Sequence, residues 1–467
     1  MQLKAGLAAR LVALLSLAFL LLAGAAASQE VVLTRDPAPK TFVTDFTWYR
    51  PNVGGNGGYL PSSIACTLSQ PRRAFGEITA ADYGSSGGYY ADKYRRFRRY
   101  GIDGVALVIT DKVPGSFAGD NAVTAGGLAV EAGLDFFAYY DLAVTSALES
   151  KLILCLAGNP CPLRDGQERI RWFNLVRYPE LYQQIRDDLQ GIGELMVQPH
   201  LDAEAAGGYY MLEDADGNRV LDEEGLPRPV IAIFIAREFA DRPANALLLR
   251  ELLTEVTDHY RSLGIGKPAL VLDVLFWATP RAPDLDDTFD PDILEAFSDW
   301  AVAVTWYSFF DVYQAEVNYG IFNDGPRPPM VQWARQLRKK YLQARVELME
   351  QGFPLMMWPG AATQIDSRQR DRPGCGRNLH PVVYHLRSED DWRFMLRKMR
   401  EQAWRPAPAA GPPLQSVLLV NNGGEWLETG AIDVSTWDSS GRCAFPYNWC
   451  RSLLEVIREE TAPAEAP

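Results

Sequence analysis

Short apolar runs alternate along the chain with longer stretches whose apolar residues recur at three- and four-residue spacing. TFVTDFTWY (41–49) is the first run, followed by a Gly-rich stretch and the helical ADKYRRFRRYG. GIDGVALVIT (101–110) precedes AVTAGGLAVEAG, and GLDFFAYYDL (133–142) precedes PELYQQIRDDLQGIG. PVIAIFIAREF (229–239) leads to ANALLLRELLTEVTDHYRSLG, and KPALVLDVLFW (267–277) to DPDILEAFSDW. In the last of these, Asp290 can cap a helix with Pro291 at its first position. AVAVTWYSFF (301–310) precedes MVQWARQLRKKYLQARVELMEQG, and FPLMMWPG (353–360) precedes SEDDWRFMLRKMREQAW. LQSVLLVNN (414–422) precedes NWCRSLLEVIREE. Runs of aliphatic and β-branched residues of this length read as buried strands, and the stretches between them as amphipathic helices.

Eight strands alternating with eight helices predict a parallel sheet covered by helices. The expected fold is therefore α/β, a (β/α)8 TIM barrel with long loops. A doubly wound open sheet is the alternative, although no strand leads into a GxGxxG or phosphate loop. One insertion interrupts the alternation before the fourth strand, near residues 208–228. Asp214, Asp216 and Asn218 there resemble a calcium loop, but Gly217 falls at its fourth position rather than its sixth. A β-hairpin turning at Asp216-Gly217 is expected instead, and the basic run Lys93–Arg99 is expected to be a solvated helix face.

The N-terminus changes the picture of where the chain works. Lys4 and Arg10 precede the apolar run Leu11–Leu22 and the small residues Ala25, Ala26 and Ala27. That is the pattern of a secretory signal peptide, residues 1–27, with residues 28–467 as one exported domain, periplasmic or extracellular. An uncleaved anchor is the alternative; after cleavage no other segment is long and apolar enough to insert in a membrane. Export gives the six cysteines a role as disulfides. Cys155 and Cys161 bracket one short loop, Cys443 and Cys450 another, leaving Cys66 and Cys375; sequence does not choose among the pairings.

The net charge of −13 argues against a nucleic-acid partner, which needs basic patches. His200, His259, His380 and His385 lack metal-ligand spacing, so neither a metal site nor a cofactor is expected. No Gly-x-Ser-x-Gly elbow is present. In a barrel the site lies at the C-terminal ends of the strands. Those ends carry Tyr49, Asp111, Tyr139, Tyr140, Asp141, Arg237, Glu238, Trp277, Trp306, Tyr307, Trp358, Asp366 and Arg368, then Glu425, Trp426 and Glu428. Carboxylates and flat aromatics suit a neutral carbohydrate partner: rings stack on sugars, and carboxylates bind hydroxyls and move protons. Single aromatics among them can equally be core filling.

NNGGEWLETGAID (421–433), just past the eighth run, sets Glu425 and Glu428 on either side of Trp426. This stretch resembles glycoside hydrolase family 99, an endo-α-mannosidase-related family of TIM-barrel glycosidases that carries Asn-Glu-Trp-His-Glu-Gly-Thr-x-Ile-Glu. Gly424 and Leu427 stand where that family has Asn and His. GIDGVALVIT, GLDFFAYYDL and the Met-Trp-Pro-Gly run followed by Asp366, Arg368 and Arg370 are similar to other family segments. The resemblance implies a retaining mechanism in which Glu425 is base toward the sugar 2-hydroxyl, which attacks C1 to give a 1,2-anhydro sugar. Glu428 would protonate the leaving oxygen and then activate water. From residues alone two other arrangements stay open: Glu238 facing Glu425 across the barrel mouth, or the two acids solvated in a loop. A non-catalytic glycan-binding barrel is the competing class.

Overall fold

The computed structural model describes residues 33–35, 39–46, 72–73, 76–77, 88–109, 113–141, 175–201, 207–234, 242–273, 291–305, 338, 341–342, 344–362, 365–366, 383–384, 389–406, 413–421 and 453–461. The signal segment and all six cysteines lie outside the described residues.

Eight parallel strands follow one another around a ring in sequence order. They are β1 (Lys40–Phe46), β2 (Gly104–Ile109), β3 (Asp135–Asp141), β4 (Val230–Phe234), β5 (Ala269–Asp273) and β6 (Ala301–Thr305). Then come β7 (Met356–Trp358, resuming after Pro359 as Gly360–Ala362) and β8 (Val417–Asn421). The two pieces of β7 close the ring. Met356–Trp358 pair with β6, while Gly360–Ala362 pair with β8, and β8 returns to β1. Extending the paired registers from Asp141 through Phe234, Asp273, Thr305, Trp358, Val417, Lys40 and Ile102 returns to β3 at Gly133, eight positions away. Eight strands with that stagger are the geometry of a (β/α)8 barrel, so the expected fold class holds and the open sheet does not.

Each strand is followed by a helix: α1 (Gly88–Arg99), α2 (Phe117–Glu131), α3 (Pro179–Ile192), α4 (Arg242–Ser262) and α5 (Pro291–Phe297). Helical residues 344–350 form α6, followed by α7 (Glu389–Arg400) and α8 (Leu453–Thr461). Local chemistry sets their ends. Ser116 Oγ accepts the Gly119 N–H at 3.0 Å to start α2, and Pro179 opens α3, where its missing N–H costs nothing. Gly126 lets α2 lie against β3, since a Cβ there would meet the Phe136 ring at 2.6 Å. None of the described helices is long and apolar enough to cross a membrane.

Phe42 on β1 and Phe137 on β3 touch, with ring centres 5.2 Å apart, although β2 runs between them. Both therefore point into the barrel, and alternation fixes the inward set of every strand. Gly104 makes this contact possible: it pairs with Phe42 and Asp135, and a Cβ there would meet the Phe42 ring at 2.2 Å. The rings of Phe137, Trp358 and Tyr210 complete this aromatic centre.

Tyr210 belongs to the insertion, which closes the N-terminal end of the barrel. Instead of one hairpin turn it makes two of the same kind. Asp214 Oδ1 accepts the N–H groups of Asp216 and Asn218, and Asp222 Oδ1 those of Glu224 and Leu226, at 2.9–3.0 Å. Gly217 and Gly225 supply the positive φ in each. Beside it, Lys40 reaches Glu213 at 2.6 Å and Asp135 at 3.5 Å. Arg228 donates to the carbonyls of Lys267, Pro268 and Trp300.

The helix α1 departs from expectation. Arg95, Arg98 and Arg99 are exposed, but Lys93 is buried, 1% exposed, and ion-paired with Asp45 of β1. Lys93 shares the buried stripe of Tyr90, Tyr94 and Phe97, spaced as one helix face, so it points at the sheet and not at solvent.

Candidate functional site

At the C-terminal end of the barrel the inward side chains turn polar. The row below this end is Tyr139, Ala232, Val271, Ala303 and Met356, apolar apart from the phenol of Tyr139. Two residues higher on the same strands stand Asp141, Phe234, Asp273, Thr305 and Trp358. Thr44 and Asn421 face inward from β1 and β8. Asp273 is fully buried and Asp141 is 8% exposed.

The hydrogen bonds tie this row together. Tyr139 Oη donates to Asp273 Oδ2 across the lumen, and the Tyr139 ring lies 6.3 Å from that of Phe234 on the strand between. Thr305 Oγ1 donates to the Trp358 carbonyl at 2.7 Å. Just past Trp358, the Gly360 N–H donates to Tyr341 Oη at 2.8 Å. Burial pushes the Tyr341 hydroxyl well up, the Gly360 N–H offsets part of that, and the negative charge of Asp273 adds to it. The indole N–H of Trp358, fully buried, has no hydrogen-bond partner among the described residues. An orphaned buried donor of this kind costs about 1–3 kcal/mol.

The residues expected at the site divide into three groups. Asp141 and Trp358 face the lumen, Asp141 near the mouth and Trp358 with its ring sunk against Phe137 and Tyr210. Tyr140 faces the opposite way: its hydroxyl donates to Asp188 Oδ2 of α3 at 2.6 Å, between sheet and helix. Asp188 also accepts the Val113 N–H, so Tyr140 fastens α3 to the barrel and does not line the lumen. The backbone of Asp366 pairs with Val383 in a short antiparallel ladder. Tyr49, Arg237, Glu238, Trp306, Tyr307, Arg368, Glu425, Trp426 and Glu428 lie outside the described residues, as does the Asp366 side chain.

Asp273, Thr44, Thr305 and Asn421 were not anticipated as site residues. A signal for Asp273 was present: one aspartate interrupts the aliphatic run ALVLDVL, where a buried strand has no use for a charge. Among the described residues no three His, Cys, Asp or Glu side chains group as metal ligands.

No family model matches the chain, and no curated protein matches it. Among solved structures it is similar to the GH99 endo-alpha-mannosidase from Bacteroides thetaiotaomicron, at 11% identity and a TM-score of 0.46, over 91% of this chain and 96% of that one. It is also similar to the exo-beta-1,4-mannosidase Op5Man5 from Opitutaceae bacterium strain TAV5, at 10% identity and a TM-score of 0.45, over 92% and 60%. A GH26 beta-mannanase from Bacteroides ovatus follows at 9% identity and a TM-score of 0.38, over 91% and 89%.

Proposed function

We propose that the protein is an exported glycoside hydrolase that cuts a polysaccharide or glycan with retention, within the chain, using Glu425 and Glu428. One observation carries this reading. Val417–Asn421 is the eighth strand of a closed barrel and Asn421 faces inward at its C-terminal end. Glu425 and Glu428 follow four and seven positions on, at the end where (β/α)8 barrels keep their chemistry. The inward polar residues described at that end, Asp141, Asp273, Thr305 and Asn421, fit a hydroxyl-rich ligand.

In this mechanism Glu425 takes the proton of the sugar 2-hydroxyl as that oxygen displaces the leaving group at C1. Glu428 gives its proton to the departing oxygen and then takes one from the water that opens the anhydro ring, while Glu425 returns its proton to the 2-oxygen. The two carboxyls then need opposite protonation states at the outset, which mutual repulsion favours.

The test is product release from mannans, glucans, rhamnans and bacterial surface glycans by the exported product of the full chain. Glu425→Gln and Glu428→Gln should each lower turnover by about 10²–10⁴-fold, the range for a lost acid–base group. Activity retained in both variants sinks the assignment of the pair. A wild type that binds one glycan and cuts none makes the barrel a glycan receptor. Sequencing the exported protein from Ser28 checks cleavage after Ala27.

A further inference from the structure

At the base of the barrel three carboxylates share one ammonium. Lys40, at the start of β1, has Glu213 of the insertion at 2.6 Å and Asp135 of β3 at 3.5 Å. Asp103, in the turn before β2, accepts the Thr41 N–H at 2.7 Å and bears on the same group through its charge. Arg98 of α1 and Arg219 of the insertion contribute positive charge at longer range. The side chains of Lys40, Asp135 and Glu213 are only 17–27% exposed, so water screens them poorly. Burial raises all three carboxyls above their ordinary values; Lys40 opposes the shift in each, and the charge of Asp135 adds to it in the other two. Burial by itself would lower Lys40, but Glu213 and Asp135 outweigh it and hold the ammonium above its usual value. Acids this close on one cation titrate as a group.

Glu213 ties the insertion to β1 by charge, and neutral bonds flank that tie. The Ala215 N–H donates to the Pro413 carbonyl at 2.7 Å, and the Gln415 N–H to the Glu213 carbonyl at 2.9 Å. Tyr210 carries the insertion into the lumen, its ring 4.9 Å from the Lys40 ammonium and 6.4 Å from the Trp358 ring. We propose that the base is a proton-set latch: a proton shared among Asp103, Asp135 and Glu213 closes the insertion under the barrel, and its loss loosens the insertion together with the Tyr210 ring. A carboxyl whose pKa is higher in the closed state than in the open one favours closure in acid, and that contribution is lost as pH rises through the raised value. With all three acids ionised, two negative charges stand unmatched beside Lys40, and moving Glu213 out into water relieves the repulsion. The latch responds upward from about pH 4, the ordinary carboxyl range. It operates whether or not the barrel cuts a glycan.

Amide hydrogen exchange on the full chain, corrected for the intrinsic effect of pH, reads the latch at Ala215 and Gln415, with the amides of β2 as internal reference. Each unit by which closure raises the group's pKa is worth about tenfold in the closing equilibrium. Protection at these two amides should therefore fall at least about threefold between roughly pH 4.5 and pH 8 while β2 stays level. Asp135→Asn should flatten the profile, because it removes an acid that raises the other two. Lys40→Met should steepen it, because the acids lose the cation that opposes their shift. Asp103→Asn keeps an acceptor for Thr41 and gives a second, independent flattening. Protection that is independent of pH in wild type, or that rises with pH, overturns the proposal. So does a slope equal to that of wild type in either asparagine variant.

Discussion

Lys93→Met tests whether α1 is docked on the barrel by charge. Lys93 reaches from α1 to Asp45 on β1, with exposures of 1% and 0%. Tyr94 donates to the second carboxylate oxygen at 2.9 Å, and the ammonium lies 5.1 Å from the Tyr90 ring centre and 5.8 Å from that of Phe97. Methionine keeps the length and apolar stem of lysine but removes the charge. Asp45 would then hold a buried negative charge against one phenol donor. Breaking a buried pair from one side costs about 3–5 kcal/mol, far above the ~1 kcal/mol or less of an exposed pair. Replacing both members by apolar groups is often neutral. Lys93→Met combined with Asp45→Leu should therefore recover at least half of the single variant's loss, with the loss of the Tyr94–Asp45 hydrogen bond retaining a cost of about 1 kcal/mol. Urea unfolding followed by tryptophan fluorescence measures all three proteins. A single variant within about 1 kcal/mol of wild type, or a double variant worse than the single, refutes the argument.

Gly104→Ala should destabilise by about 1–3 kcal/mol, because the new methyl would stand 2.2 Å from the Phe42 ring and 2.6 Å from the Asp135 carbonyl; an unchanged denaturation midpoint would show that the Phe42–Phe137 contact yields freely. At the barrel base, burial raises the carboxyls of Asp135, Asp103 and Glu213, with Lys40 opposing the shift in each. An acid whose folded-state pKa lies above its unfolded value contributes stability at low pH and loses it as pH rises through the raised value. Asp135→Asn should consequently be at least as stable as wild type at pH 7, and the difference should close as pH falls below about 4. Urea midpoints across that range check the sign, and a variant clearly weaker at pH 7 would reverse it.

The strands were legible because each is a continuous aliphatic run, and such runs have one stable use when helices separate them. What the runs could not convey is which way a polar residue within them faces. Tyr139 and Tyr140 are adjacent and chemically alike, yet one enters the lumen and the other meets Asp188 outside the sheet. Only the Phe42–Phe137 contact across Gly104, a tertiary fact, anchors the alternation. Charged residues on helices were more readable than they looked. Lys93 falls at the spacing of Tyr90, Tyr94 and Phe97, and Asp188 at that of Leu181, Ile185 and Ile192. A charge on an apolar stripe announces a buried partner on the sheet, Asp45 for one and Tyr140 for the other.

The two ends of the barrel use buried polarity differently. At the base, Lys40 stands among Glu213, Asp135 and Asp103, and Arg228 covers the carbonyls of Lys267, Pro268 and Trp300. Cation meets anion and donor meets acceptor, so the groups there hold the insertion under the barrel. At the mouth the described inward row has two aspartates, two threonines and an asparagine, and the Trp358 indole N–H there has no hydrogen-bond partner among the described residues. A chain that needed only a lid would have continued the alanines and valines of the row below. Under the proposed function these carboxylates are oriented acceptors for the hydroxyl groups of a ligand. The β8 run ends at Asn421 in this row, and Glu425 and Glu428 follow four and seven positions on along the sequence.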